Sequence, residues 1–321
     1  MTAPGVHLVD RGAKREQARE AKRDNAGGRL SVAPRLGMHV SISGGMDRMA
    51  ERARDLGCEA VQVFSRSPRG GKARELGAVE LSRTRETLEE ADIRPLVVHS
   101  PYFSNLATTD EGLWHYAIET LAGEIERAAG LGSLYVVTHM GRSGSGVGPG
   151  EGLARVALAA KMALERTSHL GSPMLLLENT AGSERELGWR LEELASVTGR
   201  LEKEFPGRVG FCLDTCHAHA AGYDLSEAGG VARLAGLAHS LFGSGGVRLV
   251  HANDCRAGAG SRLDRHAHIG EGTIGEAGFR ALLAEPLLLE CPFILETPGS
   301  DDERAVDLAR LKGLREGSFG R

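Results

Sequence analysis

Nine side chains in this sequence could together hold divalent metal: His99, His139, Glu178, Asp214, His217, His251, Asp264, His266 and Glu296. Six of them (His99, His139, Glu178, Asp214, His251 and Glu296) close short apolar runs. Any one alone reads better as a hydrogen-bonded core residue. Six at the ends of six runs point to a common partner, because a buried charge or imidazole needs one. Zinc takes imidazole nitrogen and carboxylate oxygen, and a catalytic zinc keeps one position open for water. The donors exceed what one tetrahedral ion takes and suit a two- or three-ion site. Cysteine is absent from the set, which fits catalysis better than a sealed structural site. In Asp214-Thr215-Cys216-His217 the run delivers the carboxylate and the following turn brings the imidazole round. In Asp264-Arg265-His266 alternate residues of an extended segment point the same way, so both can grip one ion.

The runs that must position these groups are Leu36–Val40, Ala60–Phe64, Pro95–His99, Leu134–His139, Met174–Glu178, Val209–Asp214, Val247–His251 and Pro292–Glu296. Near-continuous apolarity suits strands buried on both faces of a parallel sheet. Between them, Gly45–Leu56, Leu113–Leu131, Gly152–Thr167 and Leu187–Phe205 carry apolar residues at helical spacing. Eight strands alternating with about eight helices predict an α/β fold, a (β/α)8 TIM barrel with its active site at the C-terminal ends of the strands. A chain of 321 residues, 41% hydrophobic, is ordinary for that architecture.

No apolar stretch reaches the roughly 20 residues of a membrane span, and the start lacks a secretory pattern. A soluble, cytoplasmic protein is the expectation. Five cysteines without a framework of short spacings imply reduced thiols. Cys212 and Cys216 read as a strand-core residue and its neighbour in the next turn, with a soft-metal or redox pair as the alternative.

Residues 1–34 are polar and charged and are expected to form a flexible tail, leaving 35–321 as one barrel domain. The first 35 residues hold eight Lys/Arg against four Asp/Glu, so a net charge of −4 leaves the remainder at −8. That looks wrong for a nucleic-acid binder. Bound cations would reverse it locally. The tail is then either a solvated extension or a loose DNA-affinity arm.

Several segments resemble the endonuclease IV family (AP endonuclease family 2). They are GMHVSISGG (Gly37–Gly45), HSPYFSNLAT (His99–Thr108), LENTAG (Leu177–Gly182), CLDTCHAHAAGYD (Cys212–Asp224), SRLDRHAHIGEGTIG (Ser261–Gly275) and ILETPG (Ile294–Gly299). The likeness runs from about Leu36 to Gly299. It implies three zinc ions, with manganese an alternative at one. His99 and His139 would bind the first, with Glu178 bridging to the second. Asp214, His251 and Glu296 would complete the second, and His217, Asp264 and His266 would hold the third.

The resemblance further implies a monomeric base-excision-repair enzyme, nucleoid-associated when acting on double-stranded DNA with abasic sites or blocked 3′ ends. It would cut 5′ to the abasic sugar, leaving a 3′-hydroxyl and a 5′ deoxyribose phosphate. Glu178 is placed at the catalytic centre, with metal-acidified water rather than a side chain as the nucleophile. Tyr102 and Phe103 match the family's wedge positions and Arg69 its inserted arginine, suited to a gap where a base is missing. By themselves those three read as loop packing and a solvated surface residue.

The sequence departs from the family at Ser67, Gly70-Gly71, Met140, His219 and Ala252, none of them a ligand position. His39, Asn179 and Asp254 could orient ligands or serve packing and turns. His7, His115, His169, His239 and His268 are expected at the surface or in packing. Two rival readings remain: a metal-dependent sugar isomerase or epimerase, which has no use for the His217, Asp264 and His266 set, and a module that binds damaged DNA without cutting it.

Overall fold

The computed structural model describes residues 33–71, 73–171 and 173–319, so 1–32 of the expected tail lie outside the described residues. Ten strands follow one another: β1 (Leu36–His39), β2 (Ala60–Phe64), β3 (Leu96–His99), β4 (Tyr135–His139), β5 (Met174–Glu178), β6 (Val209–Asp214), β7 (Val247–His251), β8 (Asp254–Cys255), β9 (His266–Ala267) and β10 (Phe293–Leu295). Eight of them close a barrel in the order β1-β10-β7-β6-β5-β4-β3-β2. Every neighbouring pair in it is parallel. The short β8 and β9 pair antiparallel, outside it. Each barrel strand falls within one or two residues of its apolar run.

The helices between them are α1 (Met46–Asp55), α2 (Ala78–Glu90), α3 (Glu111–Leu131), α4 (Pro149–Arg166), α5 (Leu191–Glu204), α6 (Thr215–Ala221), α7 (Ala228–Phe242), α8 (Gly275–Ala284) and α9 (Asp301–Phe319). The helical spacing over Leu187–Phe205 overshoots. Arg190, the N-cap, is extended (φ −99°, ψ 131°) and Gly188 before it sits at φ +89°, so the helix begins only at Leu191. Among the described residues no helix is long and apolar enough to cross a membrane.

Side chains alternate across a strand, and that period of two builds the site. Val97, Val137, Leu176, Cys212, Leu249 and Ile294 pack with Ala60 as a closed apolar layer inside the barrel. Two residues further along the same strands stand His99, His139, Glu178, Asp214, His251 and Glu296, with Gln62 above Ala60. The intervening Val61, Val98, Leu177, Leu213, Val250 and Leu295 face outward and join the core under the helices. The inner layer is therefore a dry floor, and the polar groups are the next storey up.

Gly37 lies where β1 meets β2 and β10. A Cβ there would stand 1.8 Å from the Ala60 carbonyl oxygen, backbone that cannot rotate away. Gly37→Ala should therefore destabilise the barrel at or above the roughly 1–3 kcal/mol of an overpacked core. A thermal melt within a degree of wild type would refute this.

Candidate metal centre

All nine candidate donors converge on one mouth of the barrel. At its centre is the fully buried Glu178. Its Oε2 lies 3.1 Å from His99 Nε2 and 3.0 Å from His139 Nε2. Its Oε1 lies 3.0 Å from His251 Nδ1 and 3.3 Å from His217 Nδ1. Glu296 Oε2 approaches His251 Nδ1 at 3.3 Å. On the far side Asp264 spans His217 Nε2 at 3.3 Å and His266 Nε2 at 3.2 Å, and Asp214 Oδ2 faces His266 Nε2 at 3.9 Å.

The outer nitrogens of these rings are tied to backbone. His99 Nδ1 donates to the Ser100 carbonyl (2.7 Å), His217 Nδ1 to the Asn179 carbonyl (2.9 Å) and His266 Nδ1 to the Glu296 carbonyl (3.1 Å). Each such bond fixes the tautomer and turns a lone pair on Nε2 inward. His251 is reversed. Its Nε2 donates to Gln62 Oε1 at 2.8 Å, so Nδ1 faces the carboxylates.

His217 arrives by a device the sequence hid. Asp214 ends β6 and at once caps α6, its Oδ1 accepting the His217 amide at 2.7 Å. The turn expected there is the first turn of a helix. Asn253 donates to Asp214 Oδ2 at 2.7 Å and accepts the Glu296 amide at 2.8 Å, locking two carboxylates together. Gln62 also donates to Glu296 Oε1 at 2.6 Å and lies 3.1 Å from His39 Nδ1. Sequence reasoning misses both Gln62 and Asn253. Gln62 does leave a signal: one amide in the middle of the apolar AVQVF strand. Asn179 clasps the Asp214 backbone at both its amide (2.7 Å) and carbonyl (3.0 Å). Asp254 instead gathers the amides of Gly270, Gly272 and Ile274 and stands apart from the mouth.

Electrostatics follow from this crowding. Burial opposes charge on His217, yet Asp214 and the bonds to Asp264 and Glu178 raise its pKa well above the ordinary value. His266 goes the same way, against burial, to about 9 through Asp264 and Asp214. Burial would raise Glu178, but the imidazoles of His139 and His251 hold it well below the usual carboxylate range. Four carboxylates among imidazoles in so little water need positive charge. One atom makes the need explicit: His266 Nε2 is buried and makes no aligned hydrogen bond, although Asp264 Oδ1 lies 3.2 Å away. Its surroundings, imidazole nitrogens and carboxylate oxygens aimed at one another, fit divalent metal. Cys212 adjoins the set, but burial pushes its thiol up to about 12, which keeps it protonated.

The residues expected to touch a substrate lie around this mouth. Tyr102 is exposed, its ring 5.4 Å from that of His99 and 5.9 Å from that of His139. It helps line a cavity of about 310 Å³ with Asn105, His139, Arg142, His217 and Asp264. Phe103 turns away and stacks on Tyr116 at 5.7 Å, beside Gly70. Arg69 is exposed on a turn where the Ser67 hydroxyl accepts its amide at 3.3 Å. Arg127 of α3 holds that loop at both ends, donating to Ser65 Oγ and to the Arg74 carbonyl, each at 2.7 Å. Among the family departures, His219 is buried, accepting the Leu225 amide at 3.2 Å, and outside them His268 pairs with Asp307 at 2.8 Å.

A closed parallel barrel whose rim gathers imidazoles and carboxylates defines the class, and residues 50–317 match the family described as xylose isomerase-like TIM barrel. The chain is 42% identical over 281 residues to a probable endonuclease 4 of Methanoculleus marisnigri, covering 88% of this chain and 98% of that protein. A probable endonuclease 4 of Halothermothrix orenii is 38% identical over 278 residues, covering 86% and 98%. Endonuclease IV from Thermus thermophilus superposes with a TM-score of 0.78 at 38% identity, over 88% of this chain and 100% of that one. Within the class, the chain belongs to the endonuclease IV family.

Proposed function

We propose that this protein is an apurinic/apyrimidinic endonuclease of base excision repair that hydrolyses the phosphodiester 5′ to an abasic site. The observation that carries the reading is the convergence of nine imidazoles and carboxylates on one barrel mouth, in a chain about 40% identical to endonuclease 4 proteins. We assign His99, His139 and Glu178 to a first zinc, Glu178, Asp214, His251 and Glu296 to a second, and His217, Asp264 and His266 to a third. When bound, such ions neutralise the phosphodiester's charge and acidify water towards a pKa of about 7.

The chain's own groups do the rest. Glu178 joins the two halves of the donor set. Asn253 and Gln62 hold Asp214, Glu296 and His251 in place against the substrate's negative charge. An abasic nucleotide lacks stacking and pairing, so extruding it costs less than extruding an intact one. Tyr102 at the mouth and Arg69 on its clamped loop are assigned to the gap left behind, with Phe103 supporting the loop. Trimming of blocked 3′ ends uses the same bond chemistry and belongs to the same proposal. The third ligand set favours this reading over a sugar isomerase.

A duplex carrying one abasic analogue tests it, with protein loaded with zinc or stripped by chelator. A nick on the 5′ side by the loaded protein alone is the expected result. Binding without a nick, or aldose–ketose conversion by a protein holding one ion, would overturn the assignment.

Gln62 gives a separate check. Gln62→Ala removes the acceptor that orients His251 and a donor to Glu296. It should weaken the hold on metal by roughly 10- to 100-fold. Zinc release to a competing chelator reads this directly, and an unaltered release curve would show that the amide does not orient the ligands.

A further inference from the structure

We propose that Trp189, with the guanidiniums of Arg190 and Arg262 stacked on it, forms a backbone clamp for duplex DNA beside the metal centre. The inference rests on the nuclease reading for its partner and adds a contact surface to it. Arg190 Cζ lies 4.4 Å from the centre of the Trp189 ring system, and Arg262 Cζ also lies 4.4 Å from it. Both arginines are exposed and the tryptophan is half-buried.

Two features separate this from an ordinary surface pair. Arg142 on the same rim is neutralised by Glu186 at 2.8 Å and Glu184 at 3.3 Å. Among the described residues neither the Arg190 nor the Arg262 guanidinium donates to a carboxylate or a carbonyl. A guanidinium held by stacking keeps its N–H edge free, and that edge matches two phosphate oxygens. The second feature is anchorage. Trp189 packs on Gly182, where a Cβ would come within 2.8 Å of it, in the loop that follows Glu178. Arg262 stands two residues before Asp264 in the left-handed region (φ +57°), its amide bonded to the Ala220 carbonyl at 2.9 Å. Segments after β5 and β7 thus meet through the indole, and the positive charges are fixed to the stretches that carry Glu178 and Asp264. A polyanion with regularly spaced phosphates is the ligand that uses two such forks. Phosphates flanking the scissile one meet that description.

The experiment uses the full chain and a short duplex, undamaged or carrying one abasic analogue. The chain has two tryptophans, and Trp114 is 5% exposed in the core, so emission changes on DNA addition report Trp189. Emission should shift with either duplex, and Trp189→Phe should abolish the shift. The double variant Arg190→Gln/Arg262→Gln should bind both duplexes roughly tenfold more weakly. Its slope of log affinity against log salt should be shallower by about 2, one for each phosphate no longer neutralised. In nicking assays the loss should fall on KM rather than kcat. Trp189→Leu, with both arginines present, should move binding the same way.

If the double variant keeps wild-type affinity and salt slope, or if bound DNA leaves the emission unmoved, the clamp is wrong while wild-type nicking still upholds the nuclease. If wild type fails to nick but the salt slope falls as described, the clamp stands and the nuclease reading falls. If wild type binds no DNA, both fall.

Discussion

Glu178→Gln is expected to abolish nicking of an abasic duplex, with a fall of at least about a thousandfold, while the barrel stays folded. The change is nearly isosteric, so packing above the apolar floor is kept. The chemistry is not. Both carboxylate oxygens are shared: Oε2 lies within 3.1 Å of His99 and His139, and Oε1 within 3.3 Å of His251 and His217. A carboxamide replaces one of these acceptors with an NH2 group that points donors at imidazole nitrogens and leaves no lone pair for an ion. It also removes the central negative charge. Deleting one preorganised electrostatic interaction costs about 100- to 1000-fold in rate. Glu178 makes several, so the effect should reach or exceed the upper end. Metal analysis should show fewer ions retained per chain, and the thermal transition should remain cooperative. A variant that cuts at the wild-type rate would remove Glu178 from the centre, and with it the two-sided donor arrangement.

How much of this is readable from the residues alone depends on where each sits along its element. His99, His139, Glu178, Asp214, His251 and Glu296 are legible because a parallel strand buried on both faces is apolar until it reaches the rim. A charge there marks the strand's end and the barrel's mouth together. Gln62 breaks the same pattern beside them and yields to the same logic. Asn253 does not. In HANDC it looks like any turn asparagine, and its role emerges only when β7 and β10 lie side by side. The helix after β6 is hidden for a different reason. Asp214 serves both as rim carboxylate and as N-cap, and a seven-residue helix is too short to show a periodic face. The indole between Arg190 and Arg262 joins segments after two different strands, and no local spacing encodes that contact.

Stripping the metal should lower stability sharply, and the gap between loaded and stripped protein should widen as pH rises. The first part is mass action. An ion present at about a thousandfold its Kd adds about 4 kcal/mol, roughly 6 °C in melting temperature for a chain of this size. The pH part follows from the shifts at the centre. In the ion-free protein His217, His251 and His266 have raised pKa values, His266 to about 9. A raised folded pKa contributes stability that is whole below the unfolded value of about 6.5 and is lost as pH climbs through the folded value. Glu178, Asp264 and Glu296 are depressed, so their contribution is present above the unfolded carboxylate range and fails as pH falls through the folded values. Stripped protein should therefore be steadiest at mildly acidic pH and weaken on the way to about pH 9. Loaded protein should be nearly level over that interval, because an ion competes with the same protons for the same nitrogens and binds better as they leave. Melting curves at about pH 6 and about pH 9, with zinc and with chelator, measure both slopes at once. Parallel curves would mean that protons and metal do not share the imidazoles, and the centre would then have to be something other than a metal site.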